Sequence, residues 1–366
     1  MDSYDSTKPI KRGNVDYILL FSVIALSLIG AIMVFSASYY NAEIKMGDMY
    51  FFVKKHIKFV LAGYFILFLF SRIPYQNYQR FSLIIYVGTL ILLVLVLLMG
   101  AAKNGATRWL FGIQPSEVAK FALILVMADF LAKRKHAMDT WFGFGFCFLI
   151  GLLPACLVAM SNLSTCLIIL CFTIGMLFVA SPYIKYFIPL VICCVLAVAA
   201  IIIFGSSFRA DRLQAWLAPE KYALTSGFQT LQGLYAVGSG GVFGVGLGQS
   251  RQKFGFIPEA HNDIIFAIVC EELGAFGAGI IVLLYMIVIW RCIKIAINAT
   301  NMYGTLIATG VAVTIGAQVF INIGVVTNTI PNTGIPLPFI SYGGTSMIVL
   351  MVMIATLLNI SRYYRD

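Results

Sequence analysis

Apolar runs of about twenty residues recur along this chain, and that is the length an α-helix needs to cross the hydrocarbon core of a bilayer. Ten runs can be read, at about 17–37, 57–73, 81–100, 115–132, 142–160, 163–181, 184–205, 263–290, 303–326 and 343–360. Hydrophobic residues make up 61% of the chain and charged residues 11%, against about 45–50% and about 25% in soluble domains. That balance excludes a water-soluble enzyme and a disordered chain. The expected fold is an all-α integral membrane protein, a polytopic bundle of about ten transmembrane helices forming a single domain over 1–366.

The net charge of +10 is spread over many short loops, as orientation in a membrane demands, and does not point to nucleic acid. Short-loop cations place the N-terminus in the cytoplasm, with Lys133-Arg134-Lys135 between the fourth and fifth runs as the strongest vote. About ten spans then put both termini inside. None of the eight cysteines forms a C-x-x-C pair, and nearly all lie in apolar runs. They read as small core residues, not as a disulfide framework or zinc site. The first run is too long for a signal-peptide core and reads as a retained span.

One connection is long. Residues 206–262, between spans seven and eight, form a large outer, extracytoplasmic loop holding Arg209, Asp211, Arg212, Arg251 and Lys253 beside Trp216, Phe228, Tyr235, Phe243 and Phe254. That aromatic content is too high for a disordered linker, so the loop is expected to fold back on the bundle, with short interfacial helices. Its glycine cluster, Gly238 to Gly248, reads either as tight turns with close backbone packing or as N–H groups lining an anionic headgroup. A second outer loop, 327–342, has three prolines and no charge.

Charge inside the spans is the informative signal, because ionisable groups in hydrocarbon pair or function. Glu117 and Lys120 share a helix face at i, i+3 spacing. They are either a pair that fixes packing or a site where Lys120 supplies positive charge to a cavity and Glu117 positions it. Pro115 and Ser116 before them read as a helix start. Asp263 follows Pro258 and Asn262 at the head of span eight, where it is either a helix cap or a general base. Glu271 and Glu272 lie two turns deeper beside Gly274, Gly277 and Gly279, whose spacing reads as helix packing. At least one of these two acids is expected to face the cavity. No His/Cys/Asp/Glu spacing suggests a protein-built metal site.

Four separated stretches carry a resemblance to a known family: Asn104-Gly105-Ala106-Thr107-Arg108-Trp109, Gln114-Pro115-Ser116-Glu117-Val118-Ala119-Lys120, the run from Gly248 through Asp263 to Ala267, and Gly334 to Ser346. In this order they resemble the SEDS family (shape, elongation, division and sporulation), on its FtsW/SpoVE side. Two departures stand out. His261-Asn262-Asp263 replaces the usual His-Thr-Asp, and Asn162 stands where many members carry an aspartate. The resemblance implies a peptidoglycan glycosyltransferase that polymerises lipid II on the outer face of the bacterial cytoplasmic membrane. Its implied partners are a class B penicillin-binding protein and other divisome or sporulation membrane proteins. Asp263 is then the expected base. Lys120, Glu117, Arg108, Arg212, Arg251, Lys253, His261 and Ser341 form the expected substrate-binding set. No cofactor is required, and a divalent cation such as Mg2+ or Mn2+ is a candidate bridge across the pyrophosphate. A lipid II flippase, which also needs a polar cavity, is the competing class, and a noncatalytic scaffold for the partner enzyme is a third.

Overall fold

The apolar runs become helices packed around one central member. The computed structural model describes residues 11–103, 106–110, 112–134, 138–181, 183–204 and 207–364. In chain order the helices are α1 (Tyr17–Met46), α2 (Phe51–Phe70), α3 (Gln76–Met99), α4 (Pro115–Lys133), α5 (Trp141–Ala159), α6 (Leu163–Ala180), α7 (Phe187–Phe204), α8 (Ser207–Leu217), α9 (Phe228–Ser239), α10 (Ile265–Ile297), α11 (Met302–Val326) and α12 (Gly344–Ile360). Among the described residues, six of these, α1, α3, α5, α6, α10 and α11, are long and apolar enough to cross a membrane. The protein is thus a multi-pass, all-helical membrane protein. Among the described residues, strand content is limited to short antiparallel pairings: β1 (Lys11–Arg12) with β4 (Tyr363–Tyr364), and the hairpin of β2 (Ala101–Lys103) with β3 (Ala106–Trp109).

Local chemistry sets the helix ends. Asp16 caps α1 by accepting from Leu19 N at 3.0 Å, and α1 runs past the apolar stretch to Met46 before Gly47 closes it in the left-handed region. α2 begins at Phe51, so Lys54, Lys55 and Lys58 lie within the helix instead of flanking it. α4 starts at Pro115, with Gln114 as its cap position and no side-chain capping bond, so Ser116 is not the cap. α11 is the most buried of the six and packs against α4, α6, α10 and α12. Its Gly310 lets α4 come close, since a Cβ there would lie 2.9 Å from Ile124 Cγ2.

The long run of span eight is not one helix. Gly274 sits at φ 68° and ψ −173°, dividing α10 in two. The break frees backbone groups that hydrocarbon cannot satisfy, and the glycine cluster of the long loop supplies them. Val245 N and Gly246 N donate to Glu271 O and Glu272 O at 2.9 and 3.1 Å, while Ala275 N and Phe276 N donate to Gly241 O and Val242 O at 2.9 and 3.0 Å. A Cβ at Gly240 would strike Cys270 O, and one at Gly274 would strike Gly244 N. The N–H groups of residues 244–246 are therefore occupied within the protein, and Gly274 is a chain break rather than a packing notch.

The same loop is anchored by charge. Glu272 accepts from Lys253 Nζ at 2.7 Å, from Ser36 Oγ at 2.7 Å and from Ser250 N at 3.3 Å. Glu271 accepts from Ser250 Oγ and from Arg251 N, the latter at 2.9 Å. Upstream, α9 packs on α10 and α11, and Trp216 of α8 donates to Asn328 O at 2.9 Å. Residues 207–262 thus lie against the bundle.

Candidate active site

A cavity of about 840 Å³ opens where the start of α4, the N-terminal end of α6, the far end of α11 and the 332–346 segment meet α2, α8 and the turn before α10. Polar ends of apolar helices make its walls. Glu117 is in the first turn of α4. Asn162 caps α6 by accepting from Thr165 N at 3.3 Å, and both residues line the cavity.

Asp263 borders this space. The cap position of α10 is Ile264, one residue past Asp263, and the Ile264 side chain makes no capping bond. Its backbone is held by Asn322 of α11, whose Nδ2 donates to Asp263 O at 2.7 Å and to Ile335 O at 2.8 Å. One amide thereby ties together the two loops that carry the cavity's polar rim. Gly334 lies directly opposite at φ 67°, and a Cβ there would stand 3.4 Å from Asp263 Oδ2.

Glu117 and Lys120 form an ion pair at 2.8 Å, with side chains 5% and 1% exposed. Glu117 reaches the cavity, and Lys120 sits behind it. Arg212 also lines the cavity and donates to Asn332 O at 3.2 Å. Of the nine residues singled out from sequence, the structure therefore gathers Asp263, Glu117 and Arg212 at one cavity, with Lys120 held against Glu117.

The remaining five are placed otherwise. Lys253 is buried on Glu272 and over the Tyr39 ring at 4.9 Å, away from the cavity lining. Its partner explains the difference: Glu271 and Glu272 face the loop, not the cavity. The Arg251 side chain is exposed, and its N–H is bound to Glu271. His261 packs on Phe52 and Tyr342, with ring centroids 4.3 and 5.5 Å apart, and its carbonyl accepts from Tyr342 N at 3.0 Å. Ser341 Oγ accepts from Leu337 N at 2.7 Å and shapes the loop. The side chain of Arg108 lies outside the described part, although its neighbour Trp109 lines the cavity.

Several lining residues were not singled out from sequence. Lys55 and Lys58 of α2 carry exposed side chains at the cavity. Their i, i+3 spacing beside Phe59 is the signal that marks them. Gln318, one of two amides in the apolar span of α11, is another lining residue, as are Asn332 and Thr333. Tyr342 also lines the space, and burial pushes its phenol above the ordinary 10.0, so it remains a donor. Among the described residues no three His, Cys, Asp or Glu side chains gather as a metal site. The lining holds three carboxylates, Glu117, Glu259 and Asp263, and three cations, Lys55, Lys58 and Arg212, an arrangement suited to moving a proton beside a phosphorylated group.

Comparison with known proteins places this architecture. The chain is 40% identical over 364 residues to Stage V sporulation protein E of Bacillus subtilis, covering 97% of this chain and 99% of that one. It is 36% identical over 363 residues to the "Probable peptidoglycan glycosyltransferase FtsW" of Geobacter metallireducens, covering 97% and 96%. The fold matches a chain solved in a peptidoglycan synthase complex that coordinates polymerization and crosslinking, with TM-score 0.80 and 24% identity over 95% of this chain and 98% of that one. It also matches the rod shape determining protein RodA of Thermus thermophilus, with TM-score 0.69 and 24% identity over 96% and 98%. The model of the FtsW, RodA and SpoVE family, described as "Cell cycle protein", matches residues 17–366, and the chain belongs to that family.

Proposed function

We propose that this protein is a peptidoglycan glycosyltransferase that polymerises lipid II on the outer face of the cytoplasmic membrane. The observation that carries the reading is Asp263 beside Lys55, Lys58, Arg212 and the Lys120-paired Glu117 around one cavity. The bundle is read as ten spans with both termini cytoplasmic and residues 206–262 outside, which sets the cavity mouth at the outer surface. The relatives named as glycosyltransferases support the reaction class. The neighbour from a synthase complex supports a class B penicillin-binding protein as partner, within a division or sporulation assembly.

The chemistry follows from the charges. Asp263 takes the proton from the acceptor sugar hydroxyl as that oxygen attacks the anomeric carbon of the second lipid-linked sugar. The bond from that carbon to the lipid pyrophosphate breaks, and the electron pair leaves with the pyrophosphate. The leaving group is already stable, so no acid is needed opposite the base, unlike in a glycosidase pair. Lys55, Lys58 and Arg212 offset its charge, and Lys120 neutralises Glu117 so that this carboxylate does not oppose the leaving group. Glu259 and Asp263 are the carboxylates that would touch a divalent cation such as Mg2+ or Mn2+ on the substrate's pyrophosphate, whose charge that ion offsets when bound.

The test is lipid II polymerisation by the purified chain with its cognate transpeptidase partner, wild type against Asp263→Ala. Loss of a general base lowers the rate by about 10²–10⁴ with the complex intact. Equal polymerisation by both removes Asp263 from the chemistry. No polymer from either, with lipid II crossing liposome membranes, turns the reading to transport.

A further inference from the structure

Three residues that line the cavity carry buried oxygens that no protein group satisfies. Gln318 of α11 is 1% exposed, and its Oε1 is buried without a hydrogen-bond partner. Glu117 is 4% exposed, and its Oε2 is in the same state, as is Thr333 Oγ1. All three residues line the cavity. Native proteins leave few buried polar atoms unpaired, and three gathered around one cavity call for an explanation.

The three converge by construction. α4 and α11 cross at Ile124 and Gly310. Glu117 lies about 10 Å from that crossing toward the start of α4, and Gln318 about 12 Å toward the end of α11, at 1.5 Å per residue. Both line the cavity, so they lie on the same side of that crossing at similar depth. Thr333 joins them through the loop that Ser164 of α6 holds, its Oγ donating to Thr333 O at 2.6 Å.

Charge decides what fits. The Glu117 carboxylate is already matched by Lys120 at 2.8 Å, and Gln318 and Thr333 are neutral. A second cation there would meet the Lys120 ammonium, and a phosphate would meet acceptor oxygens. The complementary groups are neutral hydrogen-bond donors. Exposed cations lie elsewhere among the described residues, at Lys55 and Lys58.

We propose that Glu117, Gln318 and Thr333 form a carbohydrate subsite that accepts hydrogen bonds from hydroxyl and amide N–H groups of the lipid-linked sugar, while the lysines of α2 hold its pyrophosphate. The inference rests on the glycosyltransferase reading above and divides the cavity into a sugar floor and an anion mouth.

The experiment measures binding of two probes to the purified full chain: lipid II, and undecaprenyl pyrophosphate, which carries no sugar. The variants are the near-isosteric Gln318→Leu and Thr333→Val. Each lowers lipid II affinity by about threefold to tenfold and leaves undecaprenyl pyrophosphate affinity unchanged, which also reports that the variant is folded. If one variant fails to fold, the other carries the comparison. Equal losses for both probes, or no loss for lipid II, overturn the subsite. A wild type that binds both probes without preferring the sugar overturns the subsite alone. A wild type that binds neither overturns the glycosyltransferase reading and the subsite together.

Discussion

Lys253 and Lys120 are both buried, and each holds a carboxylate, at 2.7 and 2.8 Å, but their surroundings differ. Around Lys253, the carboxylate of Glu272 is filled by Ser36 and Ser250 as well, and Glu271 beside it is filled by Ser250 and Arg251. Around Lys120, the carboxylate of Glu117 keeps one oxygen unpartnered at the cavity. The two sites share the same ions and serve different ends. A buried pair whose lone pairs are all filled by its own chain is an anchor. A pair left open on the side of a cavity is a recognition element.

The comparison is broken or sharpened by substitution. The largest effect on stability is expected at the anchor. Lys253→Met leaves Glu272 buried and uncompensated, and breaking such a pair costs about 3–5 kcal/mol, read as a lowered Tm of the detergent-solubilised protein. A smaller loss follows at the helix break that the anchor supports. Gly274→Ala places a Cβ at φ 68° against Gly244 N and Val242 O. With ψ at −173° this backbone is open essentially to glycine alone, and the conformation by itself costs about 1–3 kcal/mol; thermal unfolding measures the total. At the cavity the smallest stability change carries a functional one. Gly334→Ala, at φ 67° with its Cβ 3.4 Å from Asp263 Oδ2, costs about 1 kcal/mol in strain. That contact is an ordinary van der Waals one, so it is the strained backbone that shifts the loop opposite Asp263, lowering polymerisation by about tenfold.

Sequence reasoning reads this molecule well where interactions are local. The i, i+3 spacing of Glu117 and Lys120 anticipates their ion pair because both sit on one turn of helix. The apolar runs anticipate most of the helices because burial in hydrocarbon leaves the backbone no alternative. Distant pairings leave no such trace. Lys253 reads as a loop cation because nothing local shows that Glu272, nineteen residues on, lies beneath it. The break at Gly274 is hidden in a continuous apolar run because the groups that repair it come from residues 241–246. Lys55 and Lys58 pass as flanking charges because they sit at the edge of the apolar run, although the helix begins at Phe51. Gln318 acquires meaning only once α11 is known to end at the cavity.

The distinction between anchor and recognition element is tested most directly by a ligand-induced thermal shift. Wild type, Lys120→Met and Lys253→Met are heated with and without saturating lipid II, whose binding to the native state alone raises Tm. Both variants are expected to start from a lowered Tm. The lipid II shift should survive in Lys253→Met and be lost in Lys120→Met. A shift that survives in Lys120→Met and vanishes in Lys253→Met would contradict the assignment of the two pairs.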